Sequence, residues 1–301
     1  TYHEAVQVTT DNLTIRGLDR NEVILDGQFE LDNGVRVLGA KGVAVENMTA
    51  TGFTSNGFFW TGVDGFRGSY LTTYRNGSYG VYAFDSVNGQ IDHVYAVGSP
   101  DAGVYVGACF PCNTVVTDVE AAHNGLGYSG TDSGGDMYII NNVFHHNRVG
   151  AVTNTSTYEL GDPQLEAAFA GNLIYSNNQA DTPAIDAALL AMGNGIVLAG
   201  GVRDVAFRNL VFNHDRGGIA VTPYPDENPN DVLPGPEEWD TPCSESRNRT
   251  PVKPDTDLAI YESYEARVTE NVLEDNRAAD LNLATVGIDI TTSGSCFADN
   301  T

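Results

Sequence analysis

Aromatic rings recur at a fixed spacing in this chain: Phe59, Tyr82 and Tyr105 stand 23 residues apart, with Phe84 two positions after Tyr82. Ser129, Thr131 and Asn154 continue the same two rows as polar groups. Where successive turns of a chain stack, such rows fall on one face. Exposed aromatic faces stack on sugar rings, and hydroxyl, amide and carboxylate groups beside them hold ring hydroxyls. Asp64, Asp85 and Asp132, with Asp101, lie in or near the turns that border the rows. Paired carboxylates cleave glycosidic bonds. A carboxylate, histidine or tyrosine base beside a cation would instead abstract a proton from a uronic acid. Cations are scarce here: Arg36, Arg67, Arg75 and Arg148 are the main ones. Asp64, Asp85, Asp132 and Arg67 are therefore the catalytic candidates, and the aromatic and polar rows are the substrate-binding ones. The competing reading is that the rings pack under insertions as a satellite core.

The other reactive side chains point to structure. His123, His145 and His146 fall at turns closing their repeats, where a satisfied turn histidine is expected and no metal site is predicted. Cys109 and Cys112 form CFPC within a turn, with no helix N-terminus to lower a thiol pKa, so a small disulfide is expected. Cys243 and Cys296 are left to pair, closing a long loop.

The elements that would position these groups come from a repeat. Glycines open successive units at 34, 57, 80, 103, 127 and 150, in steps of 23, 23, 23, 24 and 23, and the register returns at 195 and 218. Each glycine leads a short alternating strand (GVYAF, GVYVG, GIVLA, GIAVT), and a second strand follows a turn. Strands this short cannot bury their apolar face alone; stacking one coil on the next buries it and pairs the backbone in parallel ladders. The fold read from this is all-β: a single-stranded right-handed parallel β-helix of about ten coils, spanning 1–301 as one domain. A propeller needs longer strands and about twice the period. A recurring mid-coil Asn (Asn47, Asn142, Asn172, Asn209, Asn271), with His93 and Asp118 in equivalent slots, suits an inward ladder of amides. Insertions are expected at about 155–194 and 223–257. The second is Pro-rich and acidic; with CFPCN and STYELGDPQ it leaves its coil directly after the first strand, so the decorations gather along one edge.

Charge restricts the partners. Forty Asp plus Glu face 15 Lys plus Arg, a net charge of −25, and Lys41 and Lys253 are the only lysines. Such a field repels nucleic acid and anionic membrane surfaces, and no apolar run approaches a membrane span. Salt adaptation or diffuse cation attraction would explain the acidity; no cofactor is required, and Ca²⁺ is admitted as a bridging ion. The chain opens at Thr1 as a trimmed product would, its cysteines suit an oxidising compartment, and sequons begin at Asn12, Asn47, Asn76, Asn154 and Asn248. A secreted, extracellular or cell-surface glycoprotein is expected, either monomeric or self-associating end to end or laterally.

The stretches GVYAFDSVNGQIDHVYAVGSPDAGVYVGACFPCN and HNGLGYSGTDSGG (80–135), followed by GNGIVLAGGV, resemble the parallel β-helix repeat family. That family is shared by pectate lyases, alginate epimerases and lyases, and periplasmic carbohydrate-binding β-helices. The chain is also similar to predicted secreted β-helix proteins of bacteria and haloarchaea. The resemblance implies a glycan partner. The calcium-binding carboxylate cluster of pectate lyases and the Asp-Pro-His-Glu run of alginate epimerases are missing here. The expectation is a carbohydrate-binding or polysaccharide-active protein, of lyase, epimerase or glycosidase type, holding an extended glycan along the outer face of coils three to seven. The alternative is a non-catalytic surface or structural protein serving adhesion or assembly. An open groove with Tyr82 and Tyr105 exposed would favour the first.

Overall fold

The computed structural model describes residues 1–157, 159, 163–227 and 257–301. The repeating glycine has a steric cause. A Cβ built on Gly34, Gly57, Gly80, Gly103, Gly127, Gly150 or Gly195 would lie 2.4 to 3.1 Å from the carbonyl oxygen of the glycine that opens the next coil. No other residue lets two coils approach at that point. From each glycine runs the first strand of its coil, and these strands form a ten-stranded sheet, from Val6–Val8 to Ala279–Leu283, every pair parallel. Side chains alternate as the period-two pattern requires. One inward column reads Val35, Phe58, Val81, Val104, Tyr128, Ala151, Ile196 and Ile219, each at most 1% exposed.

A second sheet of 17 strands carries the remaining walls, up to two strands per coil. Between those two strands the chain bends at one residue in the left-handed region: Asn47, Tyr70, His93, Asp118, Asn141, Arg208 or Glu270, with φ between 53° and 57°. The expected amide ladder lies one position further on. Asn142, Asn172, Asn209, Asn271 and Asn300 pass Nδ2–H to the next Oδ1 at 2.9–3.0 Å and also satisfy backbone groups of adjacent coils. Asn47, His93 and Asp118 are thus bend residues, outside the ladder: bend and ladder are two adjacent columns, not the single one expected. A second ladder, missed in the sequence, closes each coil: Asn124, Asn147, Asn177, His214 and Asn276. Burial lowers the His214 pKa to about 4, so the ring is neutral, accepting from Asn177 at Nε2 and donating from Nδ1 to Asn276.

The expected insertion at 155–194 resolves into two. Strands Ala167–Ala170 and Leu173–Tyr175 belong to the second sheet, so the additions are residues 155–166 and 178–194, on different edges. The latter contains the five-residue helix Asp186–Leu190 and is tied down by the Arg148 guanidinium, which donates to the Ala180 and Thr182 carbonyls. The other insertion leaves the coil through an antiparallel ribbon, Tyr224–Glu227 with Leu258–Tyr261; residues 228–256 lie outside the described residues. Cys109 and Cys112 are joined by a disulfide with Cα atoms 4.9 Å apart. The expected Cys243–Cys296 bridge cannot be followed to Cys243, which lies outside the described residues; Cys296 is exposed and free among them. Among the described residues no helix is long and apolar enough to cross a membrane.

Candidate functional site

The outward face of the first sheet carries the predicted rows in register: Arg36, Phe59, Tyr82, Tyr105, Ser129, Val152, Val197 and Ala220 are successive partners. Thr61 pairs with Phe84, and Thr131 with Asn154, in the second row. Thr131 also donates from Oγ1 to the Asn154 amide oxygen at 3.1 Å.

Their exposure departs from the expectation. Phe84 and Tyr105 are 0% and 1% exposed; Phe59, Ser129 and Thr131 are also buried, while Tyr82 and Asn154 are half-buried. The rings cover one another: Tyr82 has Tyr79 at 4.4 Å, Tyr105 at 4.7 Å, Phe59 at 4.9 Å and Phe84 at 5.9 Å between centroids. The 155–166 insertion completes the cover, since the Tyr105 hydroxyl donates to Glu159 Oε2. On the opposite edge, Ala184, Ala188 and Ala191 of the 178–194 insertion join one apolar cluster with Ala102, Leu126, Val149, Val152, Val197 and Ala199. The row is therefore not an open stacking platform; Tyr82 and the neighbouring Tyr79 keep only partial exposure.

Two groups beside these rings, Tyr79 and Glu159, carry no signal in the sequence, and Asp101, which the sequence places at the border of the rows, stands outside the catalytic candidates. Tyr79 precedes the coil glycine and Asp101 lies two residues before the next one; neither has a periodic companion. Glu159 sits in an insertion, where register gives no signal. The Tyr79 hydroxyl donates to Asp101. Burial pushes the Asp101 carboxyl up to about 6, against that bond. Burial, with the Asp101 charge adding, pushes Glu159 up to about 8, against the bond from Tyr105. Burial and the same carboxylates hold the Tyr79 and Tyr105 phenols well above their ordinary range. Two carboxyl groups of different proton affinity thus meet a cluster of tyrosines, the arrangement from which general acid and base roles can be drawn.

The catalytic candidates named from sequence are dispersed. Asp85 and Asp132 sit buried in the left-handed turn that ends the first strand, at φ 45° and 47°. There Asp132 Oδ1 accepts from the Ser156 N–H at 3.1 Å, rooting the 155–166 insertion. Asp226 does the same through Thr157, whose N–H and hydroxyl donate at 2.9 and 2.7 Å. Asp64 is on the second sheet, accepting from Asn88 at 2.6 Å. Arg67 is also on that sheet, bridging Glu46 and Asp92 at 3.1 Å each, so it stands on a wall other than the aromatic row. Burial would raise the Asp92 pKa, but bonds from Ser69, Arg67 and His93 outweigh it and hold it low.

His145 contacts Glu120 at 3.2 Å and stacks on Tyr175 at 5.0 Å. Among the described residues, no group of three or more His, Cys, Asp or Glu side chains is arranged to hold a metal ion. Of the sequon asparagines, Asn12 is exposed, Asn47 and Asn154 are half-buried, and Asn248 lies outside the described residues. Asn76 is 1% exposed and its amide bonds the backbone at Phe53 and Ala50, which leaves no room for a glycan.

These coils, ladders and decorated edges define a right-handed parallel β-helix. The family profile described as "Right handed beta helix region" matches residues 33–228, and the chain belongs to that family. A search of curated protein sequences finds no match. Among solved structures, the A-module of the Azotobacter vinelandii mannuronan C-5 epimerase AlgE4 superposes with a TM-score of 0.63 at 13% identity, covering 98% of this chain and 71% of that one. An alginate lyase from a Paenibacillus species gives 0.58 at 13% identity, covering 95% and 88%. The A-module of AlgE6, also from Azotobacter vinelandii, gives 0.54 at 12% identity, covering 97% and 76%. At these identities the likeness is one of fold.

Proposed function

We propose that this chain is a secreted, carbohydrate-active β-helix protein that holds an extended glycan on the outer face of its first sheet. In this reading Tyr79 and Tyr82 contact the sugar, Glu159 is the proton donor and Asp101 the base. The observation that carries it is the meeting of Glu159, Asp101 and three tyrosines between two insertions, on a fold whose solved neighbours include an alginate lyase and mannuronan C-5 epimerase modules. Phe59, Phe84, Tyr105, Ser129, Thr131 and Asn154 then support that face from beneath. An extracellular setting is supported by the Cys109–Cys112 disulfide. Incubation with a panel of polysaccharides, read by new reducing ends and by absorbance of unsaturated sugars, tests the reaction. Glu159→Gln and Asp101→Asn should each lower turnover at least 100-fold, the size of a lost general acid or base. Turnover unchanged in both variants would remove these residues from the chemistry.

One observation favours a second reading, a non-catalytic surface or assembly protein: the rings of the row pack chiefly on one another. That reading expects no turnover on any polymer and no loss of function in Glu159→Gln.

A further inference from the structure

We infer that the glycan held on this face is an uncharged one, a chain of neutral pyranose residues, and that polymers bearing a carboxylate on each ring are refused. The inference rests on the glycan reading above and narrows it by charge.

The face around Tyr79 and Tyr82 carries carboxyl groups and almost nothing to oppose them. Glu159 accepts from Tyr105 there, and Asp101 from Tyr79. Asp132 and Asp226 hold the root of the adjoining insertion, at Ser156 and Thr157. Tyr224, on the ribbon beside them, feels Asp226, Glu159, Asp132 and Glu227 together, and burial with those charges raises its phenol to about 12. Its side chain also joins the apolar cluster of Val152, Val197 and Ala199, so this acidic rim belongs to the same face.

Among the described residues, Arg36 is the one cation of the aromatic column. It heads the column two strands before Tyr82, with its guanidinium 5.8 Å from the Phe59 ring centroid. At about 4.8 Å per strand that is roughly 10 Å from the Tyr82 position. Arg67 is on another wall, and Arg148 and Arg216, which donate to backbone carbonyls of the 178–194 insertion, are not among the groups acting on Asp101 or Glu159. The sequence of 228–256 holds Arg247, Arg249 and Lys253 against Asp231, Glu237, Glu238, Asp240, Glu245 and Asp255, which is again net acidic.

A polyuronate would bring a further negative charge at every ring to a face that already forces Glu159 to keep its proton. Arg36 stands at the end of the row against Phe59, and such a polymer would meet a chain of net −25. A neutral pyranose has no such cost: its hydroxyls can donate to Asp101, and its C–H face can lie on the open parts of Tyr79 and Tyr82.

The test is direct binding of the intact protein to polymer panels by affinity electrophoresis. Laminarin, galactomannan and xylan serve as neutral probes, alginate and polygalacturonate as charged ones. Each is run at low and high salt, with and without millimolar Ca²⁺. The inference expects at least one neutral polymer bound roughly tenfold or more tightly than either uronate, in all conditions, and roughly tenfold weaker binding by Tyr82→Ala once its circular dichroism matches the parent. Binding of alginate or polygalacturonate equal to or tighter than the best neutral polymer, with or without Ca²⁺, overturns the charge assignment and leaves the glycan reading standing. Binding of no polymer overturns the glycan reading itself.

Discussion

Glu159 is half-buried against Tyr105 with its pKa pushed up to about 8, which sets a pH effect. The side chain faces Tyr105, with Tyr79, Tyr82, Asp101 and Tyr224 in the same neighbourhood; none of these is a cation. Away from this contact its carboxyl returns to an ordinary value near 4.5. A raised carboxyl means that the docked state binds the proton more tightly. The contact is therefore at full strength below pH 4.5 and is lost as pH rises toward 8. At 1.36 kcal/mol per unit, the shift corresponds to about 5 kcal/mol. Glu159 is only half-buried and the insertion can lift before the coil unfolds, so about 2–3 kcal/mol of docking free energy is expected. Hydrogen exchange of the peptide through residue 157, corrected for the intrinsic pH dependence, should show protection falling between pH 5 and 8. Glu159→Gln, always uncharged, should hold its protection flat over that range. A carboxyl carbon titration by NMR with a midpoint near 4.5, or the same pH slope in both proteins, would refute the reasoning.

Other consequences concern the scaffold. His214 is the mirror case: its pKa is lowered to about 4, so stability is full above 6.5 and falls as pH drops through that window, by about 3 kcal/mol. His214→Asn, which restores the amide pattern of its column, should remove that slope in urea melts run from pH 7 to 4. Gly150→Ala would set a methyl 2.4 Å from the Gly195 carbonyl oxygen and 2.5 Å from Ile174, and should cost about 3 kcal/mol, since two paired strands cannot move apart locally. Asn172→Ala would leave the buried Asn142 N–H without its acceptor and remove one bond each from Asn142 Nδ2, Asn209 Oδ1 and the Ile139 carbonyl, and should destabilise by roughly 3 kcal/mol in the same assay.

What could be read from the sequence was what the stacking itself dictates. The glycine column is visible because a carbonyl 2.4–3.1 Å from any Cβ forbids every other residue, and the outward columns followed from it by counting. The amide ladder was visible as a composition but blurred in register, because the bend residue before it is also often Asn: Asn141 precedes Asn142. The second ladder was hidden by Ser99 and His214, which break the Asn pattern while filling the same place. The candidate site was least legible. Period two says that Tyr105 points outward, but not that Glu159 will lie over it, since an insertion has no register. Counting along the coil likewise could not place Arg67, because both sheets have outward faces and only the bends decide which wall a residue joins.

The most direct measurement is hydrogen exchange across the whole chain, with and without a saturating bound polysaccharide. The account predicts new protection confined to residues 79–84, 101–107 and 129–131 and to the 155–157 segment. Protection appearing instead on the second sheet, around the exposed Tyr95 and Tyr138, with the first sheet unchanged, would contradict it.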